Sequence, residues 1–211
     1  STALCMAETP VCAALATRAL GPERVFGLLL PERDSSKASG DLGRLLAGHL
    51  GLRFELQEIS GVLDAIGCYT AQDAALRRVL PGFDRRWKFK LVLQQAMGGR
   101  IGVTRVIAED PSGMRHDSRL GANDYLQLVA ATNYKQRIRK TIEYSHADRL
   151  NFAVTGTPNR LEYELGFFVK NGDGAADVKP IAHLYKTQVY AMARHLGLPA
   201  AITTTTPTTD T

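Results

Sequence analysis

The first sixty residues alternate between two periodicities, and that alternation limits the chain to few folds. "PVCAALATRALG" carries apolar residues at helical spacing and closes on Gly21, with Pro10 acceptable in a first turn. "RVFGLLL" follows as a short apolar strand ending at Pro31, and "SSKASGDLGRLLAGHLG" reads as a loop and then a helix over residues 41–50, closed by Gly51. "LRFELQEI" alternates as a strand does. Helix, strand, helix, strand is the order of crossover units on a parallel sheet.

The rhythm breaks in the middle. Residues 69–80 read as a helix, and "RWKFKLVLQQAMGGRIGVTRVIAED" then gives two strand-like runs around "MGGR", with "PSGM" as a further turn. This predicts a hairpin-like insertion around residues 85–120. Helix resumes in "NDYLQLVAATNYKQRIRKTIEYSHADRL", where Leu126, Val129, Ala130 and Ile138 define the expected partly buried face. "NFAVTG" is a short strand, "TPNRLEYE" a loop, and the polar stretch "GFFVKNGDGAADVKPIAH" empties into the helix "LYKTQVYAMARHLG", capped by Gly197 and Pro199.

Composition narrows the classes. A chain of 211 residues can bury a real core, and one domain is the simpler expectation. No run approaches the roughly 18 to 20 apolar residues of a membrane span. The start carries Glu8 and Pro10 rather than a basic and then apolar leader, so the expected location is the cytoplasm, away from membranes. Cys5, Cys12 and Cys68 have no metal-ligand spacing and an odd count, which predicts buried free thiols. The formal charge of +5 gathers at "RRWKFK" and "YKQRIRK". A nucleic-acid footprint would not require the acidic loop ending at Asp177, so no nucleic-acid partner is expected.

In an open parallel sheet, ligands meet the carboxyl ends of strands, which directs attention to residues 31–37, 155–162 and 166–179. Glu162, Asp173 and Asp177 stand there with Lys170, Lys179 and Lys186. Carboxylates mixed with compact cations suit a magnesium-bound triphosphate better than zinc. The competing reading is that the acidic residues of "NGDGAAD" only cap turns. Asn133 and Arg137, four residues apart, share a helix face and could clamp a phosphate or carboxylate; an exposed, salt-bridged helix has the same spacing. Ser35 and Ser36 can donate around a nucleotide. Phe167, Phe168 and Tyr185 can stack on a ring or simply pack. His183 and His195 lack partners at ligand spacing and read as structural or surface residues.

At "TGTPNRLEYELGFFVKNGDGAADVKPIAHLYKTQV" the chain closely resembles the ammonia-using synthetase domain of NAD synthases, within the adenine-nucleotide alpha-hydrolase-like superfamily. "LLLPERDSS", "ATNYKQRIRKTIEYSHADRLNFAVTGT" and the terminal "PTTDT" extend the likeness over most of the chain, most weakly at residues 80–120. The resemblance implies an α/β fold with a doubly wound parallel sheet flanked by helices, in a homodimer. It also implies ATP-dependent amidation of deamido-NAD to NAD, through an adenylate that ammonia attacks. Carried over, Thr157 and Lys186 would hold ATP, Glu162 would bind magnesium, and Thr208 would contact phosphates. Asn133, Arg137, Lys170, Asp173 and Asp177 would organise the dinucleotide site with Phe167 and Tyr144, Asp177 and Lys186 being the expected catalytic pair. A glutaminase domain supplying ammonia would lie outside this chain.

One departure bears on ATP. The family's pyrophosphate loop, Ser-Gly-Gly-x-Asp-Ser, corresponds to "LCMAET", Leu4 to Thr9. Cys5 and Met6 replace the glycines that allow close backbone approach to phosphate. Glu8 keeps a carboxylate for the metal and Thr9 a hydroxyl for the nucleotide, while Leu4 loses the first serine's oxygen. No apolar strand precedes this loop, and "PTTDT" closes the sequence, so the expectation is a single synthetase domain over residues 1–211, incomplete at one or both ends. Two other readings stay open: an amide ligase for another carboxylate, and a nucleotide-binding homologue without turnover.

Overall fold

The computed structural model describes residues 8–93 and 104–204. In chain order these form α1 (Glu8–Leu20), β1 (Phe26–Leu29), α2 (Lys37–Leu50), β2 (Arg53–Leu56), α3 (Ser60–Ala65), α4 (Cys68–Val79), β3 (Lys88–Leu93), β4 (Thr104–Glu109), β5 (Arg115–Arg119), α5 (Ala122–Leu150), α6 (Arg160–Leu165), α7 (Lys186–His195) and α8 (Ala200–Thr203). The fold is α/β, with a parallel pair of strands, an antiparallel sheet and flanking helices. The chain divides into two compact units, one holding residues up to Gly61 and from Lys135 onward, the other Val62–Tyr134.

In the first unit β1 and β2 pair in parallel, Phe26 opposite Arg53 and Leu29 opposite Leu56. The helix between them is α2, the expected crossover. It starts at Lys37, a turn earlier than its apolar pattern indicates, because Ser36 caps it by accepting from Ser39 N at 3.2 Å. It ends where Gly51 takes φ 67°, a left-handed conformation that favours glycine. "NFAVTG" contributes less than the expected strand: among the described residues it makes one parallel bridge, Thr155 to Val178. The core joins Val11, Cys12 and Ala14 of α1 to Leu46 of α2, to Ile181 ahead of α7, to Val189 and Ala193 of α7, and to Ile202 of α8. Cys12 and Cys68 are buried free thiols, as expected; Cys5 lies outside the described residues.

The second unit contains the predicted insertion, with one strand more than a hairpin. β3, β4 and β5 run antiparallel in that order. The "MGGR" turn falls outside the described residues, while "PSGM" makes the β4–β5 turn, where Asp110 Oδ1 accepts from Ser112 N at 2.8 Å and Met114 N at 3.1 Å. Val106 and Ala108 of β4 pack with Leu76, Leu80, Phe83 and Leu128.

The buried stripe of α5 differs from the sequence expectation. Leu126 is 61% exposed and Ala130 is exposed, while Leu128, Ala131, Lys135 and Arg139 are buried. The charged members of this stripe have partners in the Leu30–Asp34 segment. Lys135 Nζ donates to Glu32 Oε1 at 3.2 Å and Asp34 Oδ2 at 2.6 Å, and Arg139 Nε donates to the Leu30 carbonyl at 3.3 Å. A buried cation is stable only with such partners, and here they anchor the loop that follows β1.

Ser36→Ala removes the α2 cap and should cost about 1 kcal/mol. A lower urea midpoint with an unchanged denaturant slope, followed by far-ultraviolet circular dichroism, would register it.

Candidate functional site

The site begins with a carboxylate that water does not reach. Glu8, in the first turn of α1, is 0% exposed. Its Oε1 lies 2.9 Å from Lys186 Nζ and accepts from Asn159 Nδ2 at 3.2 Å. Lys186 opens α7, where the positive end of the helix dipole disfavours a cation. Glu8 offsets that cost.

Asn159 uses both ends of its amide. Its Oδ1 accepts from Leu161 N at 3.0 Å and Glu162 N at 3.3 Å, capping α6, while Nδ2 reaches Glu8. Glu162 completes the capping box by accepting from Asn159 N at 3.0 Å. Burial raises the Glu162 pKa above the usual glutamate value, and the charges of Glu8 and Asp173 push the same way, against the Asn159 N–H and Lys186. Glu8, Glu162 and Lys186 therefore form one electrostatic cluster. Asn159 was missed; its signal was "NRLE", a capping-box spacing.

The neighbouring loop spends its carboxylates on structure. Asp173 Oδ1 accepts from Val169 N at 2.6 Å, which is the turn-capping reading of "NGDGAAD". Asp177 Oδ2 accepts from Val154 N at 2.8 Å, and its Oδ1 accepts from Tyr144 Oη at 3.3 Å. Burial, then the Asp177 charge, raises the Tyr144 pKa. Arg137 Nε donates to the Lys170 carbonyl at 3.1 Å. The glycines permit close approach: a Cβ on Gly156 would lie 2.7 Å from Ala176 Cβ, and one on Gly174 2.2 Å from Phe168 Cδ2.

A cavity of about 580 Å³ opens beside these groups, with Thr9, Ser35, Ser36, Thr157 and Asp173 supplying polar atoms to its lining. Among the described residues Thr9 Oγ1 is buried without a hydrogen-bond partner. Phe167 is 77% exposed, and Asn133 is half-buried within the second unit's portion of α5. Leu4, Cys5, Met6 and Thr208 lie outside the described residues. No group of three or more His, Cys, Asp or Glu is arranged to hold a metal among the described residues, so a cation here would rest on the Glu8 and Glu162 pair plus ligand oxygens.

Helix-flanked parallel strands, with Glu8, Lys186 and Glu162 gathered at helix starts near a mostly apolar cavity, define an α/β protein with a candidate ligand site. The NAD synthase family model matches residues 7–86 and 105–211, and the chain belongs to that family. The NH3-dependent NAD+ synthetase of Rhizobium meliloti strain 1021 is 53% identical over 205 residues, a match covering 97% of this chain and 61% of that protein. The chain thus spans about three-fifths of that relative's length. Two solved structures share the fold. The NMN synthetase of Francisella tularensis has a TM-score of 0.65 at 22% identity, over 96% of this chain and 63% of that one. The NH3-dependent NAD synthetase of Campylobacter jejuni, in complex with nitrate ion, has 0.61 at 25% identity, over 93% and 62%.

Glu162→Gln keeps an acceptor for the Asn159 amide and removes the charge. A carboxyl with a raised folded-state pKa binds its proton more tightly folded than unfolded, so ionisation weighs against the fold as pH climbs. The stability Glu162 contributes is complete below its unfolded pKa of about 4.3 and is lost as pH rises through the folded value. Melting temperatures should place Glu162→Gln above the parent at neutral pH, with the gap closing near pH 4.

Proposed function

We propose that the chain forms the synthetase part of an enzyme that amidates deamido-NAD to NAD with ATP and ammonia. Family membership supports the reaction, and the Glu8–Lys186–Glu162 cluster is the observation that carries its assignment to this site. Lys186, steadied by Glu8, presents a compact cation to a triphosphate, while Thr9 and Thr157 offer hydroxyls from the cavity lining. Carboxylates with phosphate oxygens are the donors magnesium takes, and Glu162, with Glu8 nearby, would supply the protein's share. When bound, magnesium would neutralise phosphate charge.

The nicotinate carboxylate attacks the α-phosphorus, forming the adenylate as pyrophosphate leaves. Ammonia then adds to the activated carbonyl, AMP departs with the bonding electrons, and the nitrogen sheds a proton to give the amide. Neither step needs a protein nucleophile; positioning and charge stabilisation suffice. Arg137 and Lys170 would bind the dinucleotide, with Asn133, Tyr144, Phe167 and Asp173. Asp177, bonded to Tyr144 and Val154, would act by fixing the loop.

The finer architecture proposed is a doubly wound parallel sheet in the first unit. Exposed Leu161, Tyr163, Leu165 and Phe167 give α6 and its C-terminal flank an apolar surface that supports a homodimer. Ammonia would come from solution or from a glutaminase outside this chain.

Purified chain supplied with deamido-NAD, ATP, magnesium and ammonia should release NAD and pyrophosphate together. Lys186→Ala should lower turnover about 100-fold or more while circular dichroism stays unchanged, and Lys186→Arg should recover part of the loss. Full activity in Lys186→Ala would remove Lys186 from the mechanism. Amidation of nicotinate mononucleotide in preference to the dinucleotide would transfer the reading to another carboxylate, a possibility raised by the fold shared with the NMN synthetase.

A further inference from the structure

We propose that the outward face of the β3–β5 sheet is a docking surface for an acidic protein segment, one that carries an apolar residue between flanking aspartates or glutamates. The face lies wholly in the second unit, and β3 falls between the two stretches that the NAD synthase family model matches. Its chemistry is independent of the amidation proposed for the first unit.

Strand alternation gathers the charges. Val106 and Ala108 of β4 enter the core against α4, so Arg105, Ile107 and Glu109 point the other way. Residues paired across strands share a face. Lys88, Lys90 and Val92 of β3 pair with Glu109, Ile107 and Arg105, which in turn pair with Arg115, Asp117 and Arg119 of β5. The basic stretch "RRWKFK" is thereby split: Trp87 and Phe89 pack toward the core, while Lys88 and Lys90 face out.

Five cations and two carboxylates share this face, and four of the cations, Lys88, Lys90, Arg115 and Arg119, are exposed. Arg105 Nε donates to Asp117 Oδ1 at 2.8 Å, which neutralises one carboxylate. Among the described residues none of the four exposed cations has an ion-pair partner. Positions two apart on a strand are separated by about 7 Å and neighbouring strands by about 5 Å. Adjacent charges therefore lie within the Debye length of about 10 Å at 0.1 M salt and act as one positive field. Ile107, half-buried, stands at its centre.

This pattern selects the partner. Charge commonly keeps edge strands from pairing, and β3 and β5 are edges of their sheet. That purpose needs neither one dominant sign nor Arg105 on the central strand. A nucleic-acid strand would bring phosphates onto Glu109 and Asp117, and the rings that could stack on its bases, Trp87 and Phe89, are turned to the core. An anionic membrane meets the same two carboxylates, and Ile107 lies too deep among charged side chains to enter it. A second copy of this face would set cation against cation. A protein segment can match both signs, with carboxylates for the lysines and arginines, a donor for Glu109 and an apolar side chain over Ile107. An apolar centre inside a polar rim is the usual build of a protein interface.

The test selects ligands for the whole chain from a phage-displayed library of random short peptides at about 0.1 M salt. Enriched peptides should carry aspartate or glutamate on both sides of an apolar residue. Their affinity should fall about tenfold or more when Lys90→Glu and Arg119→Glu are combined. It should stay unchanged when Arg18→Glu and Arg194→Glu are combined, since these exposed arginines of the first unit alter the net charge equally. Emission from Trp87, the chain's one tryptophan, whose ring centroid lies 4.4 Å from that of His116, reports whether the sheet is intact. If charge reversal disturbs that signal, Lys90→Gln with Arg119→Gln takes its place and should show the loss. The proposal is overturned if the enriched peptides have no acidic excess, or if both pairs of substitutions weaken binding alike. Tighter binding of duplex RNA or of phosphatidylserine vesicles to this face than of the selected peptides would also overturn it.

Discussion

A single buried carboxylate organises the first unit. Glu8 is out of water, and a charge in that position is tolerated only when opposite charge and donors surround it. Lys186 supplies the charge and Asn159 a donor, so the start of α1, the start of α7 and the cap of α6 meet at one oxygen. Removing one partner of a fully buried pair typically costs about 3–5 kcal/mol, and less here because the Lys186 side chain is 33% exposed. The same contact holds a lysine at a helix N-terminus, against the local dipole, where an incoming anion would meet it. Stability and the proposed ligand binding therefore draw on one set of atoms.

The loop from Gly166 to Lys179 works on a different principle. Its carboxylates are engaged locally, Asp173 with Val169 N and Asp177 with Val154 N and Tyr144, and Arg137 holds the Lys170 carbonyl. The concentration of polar, turn-forming residues gives the loop a defined path, with glycines where another segment passes too close for a Cβ. Charges on such a loop are placed by the loop's own hydrogen bonds before any ligand arrives, which limits the ordering cost of binding.

Much of this was legible in the sequence, for reasons that also explain the omissions. The crossover order of α1, β1, α2 and β2 follows from local periodicity, whereas Glu8 came into view as a site residue only through the family resemblance. β5 was not legible: "RHDSR" lacks an apolar pattern, and its strand conformation comes from pairing with β4. The inward face of α5 was misjudged because its stripe includes Lys135 and Arg139, residues that periodicity assigns to solvent. Their partners in the Leu30–Asp34 segment are more than 100 positions away. The short "NFAVTG" strand makes a single bridge among the described residues.

Cys12 sits one turn after Glu8 in α1, and its Sγ lies 3.9 Å from the Gly156 carbonyl. Burial, reinforced by the Glu8 charge, pushes its pKa up to about 12, so at neutral pH it is a thiol and a poor nucleophile. Cys68 is equally enclosed, its Sγ 3.3 Å from the Ala131 carbonyl. Among the described residues one cysteine thus lies in each compact unit. Alkylating reagents would gain access to either only through local opening, making the two side chains natural timers for the separate breathing of the two halves.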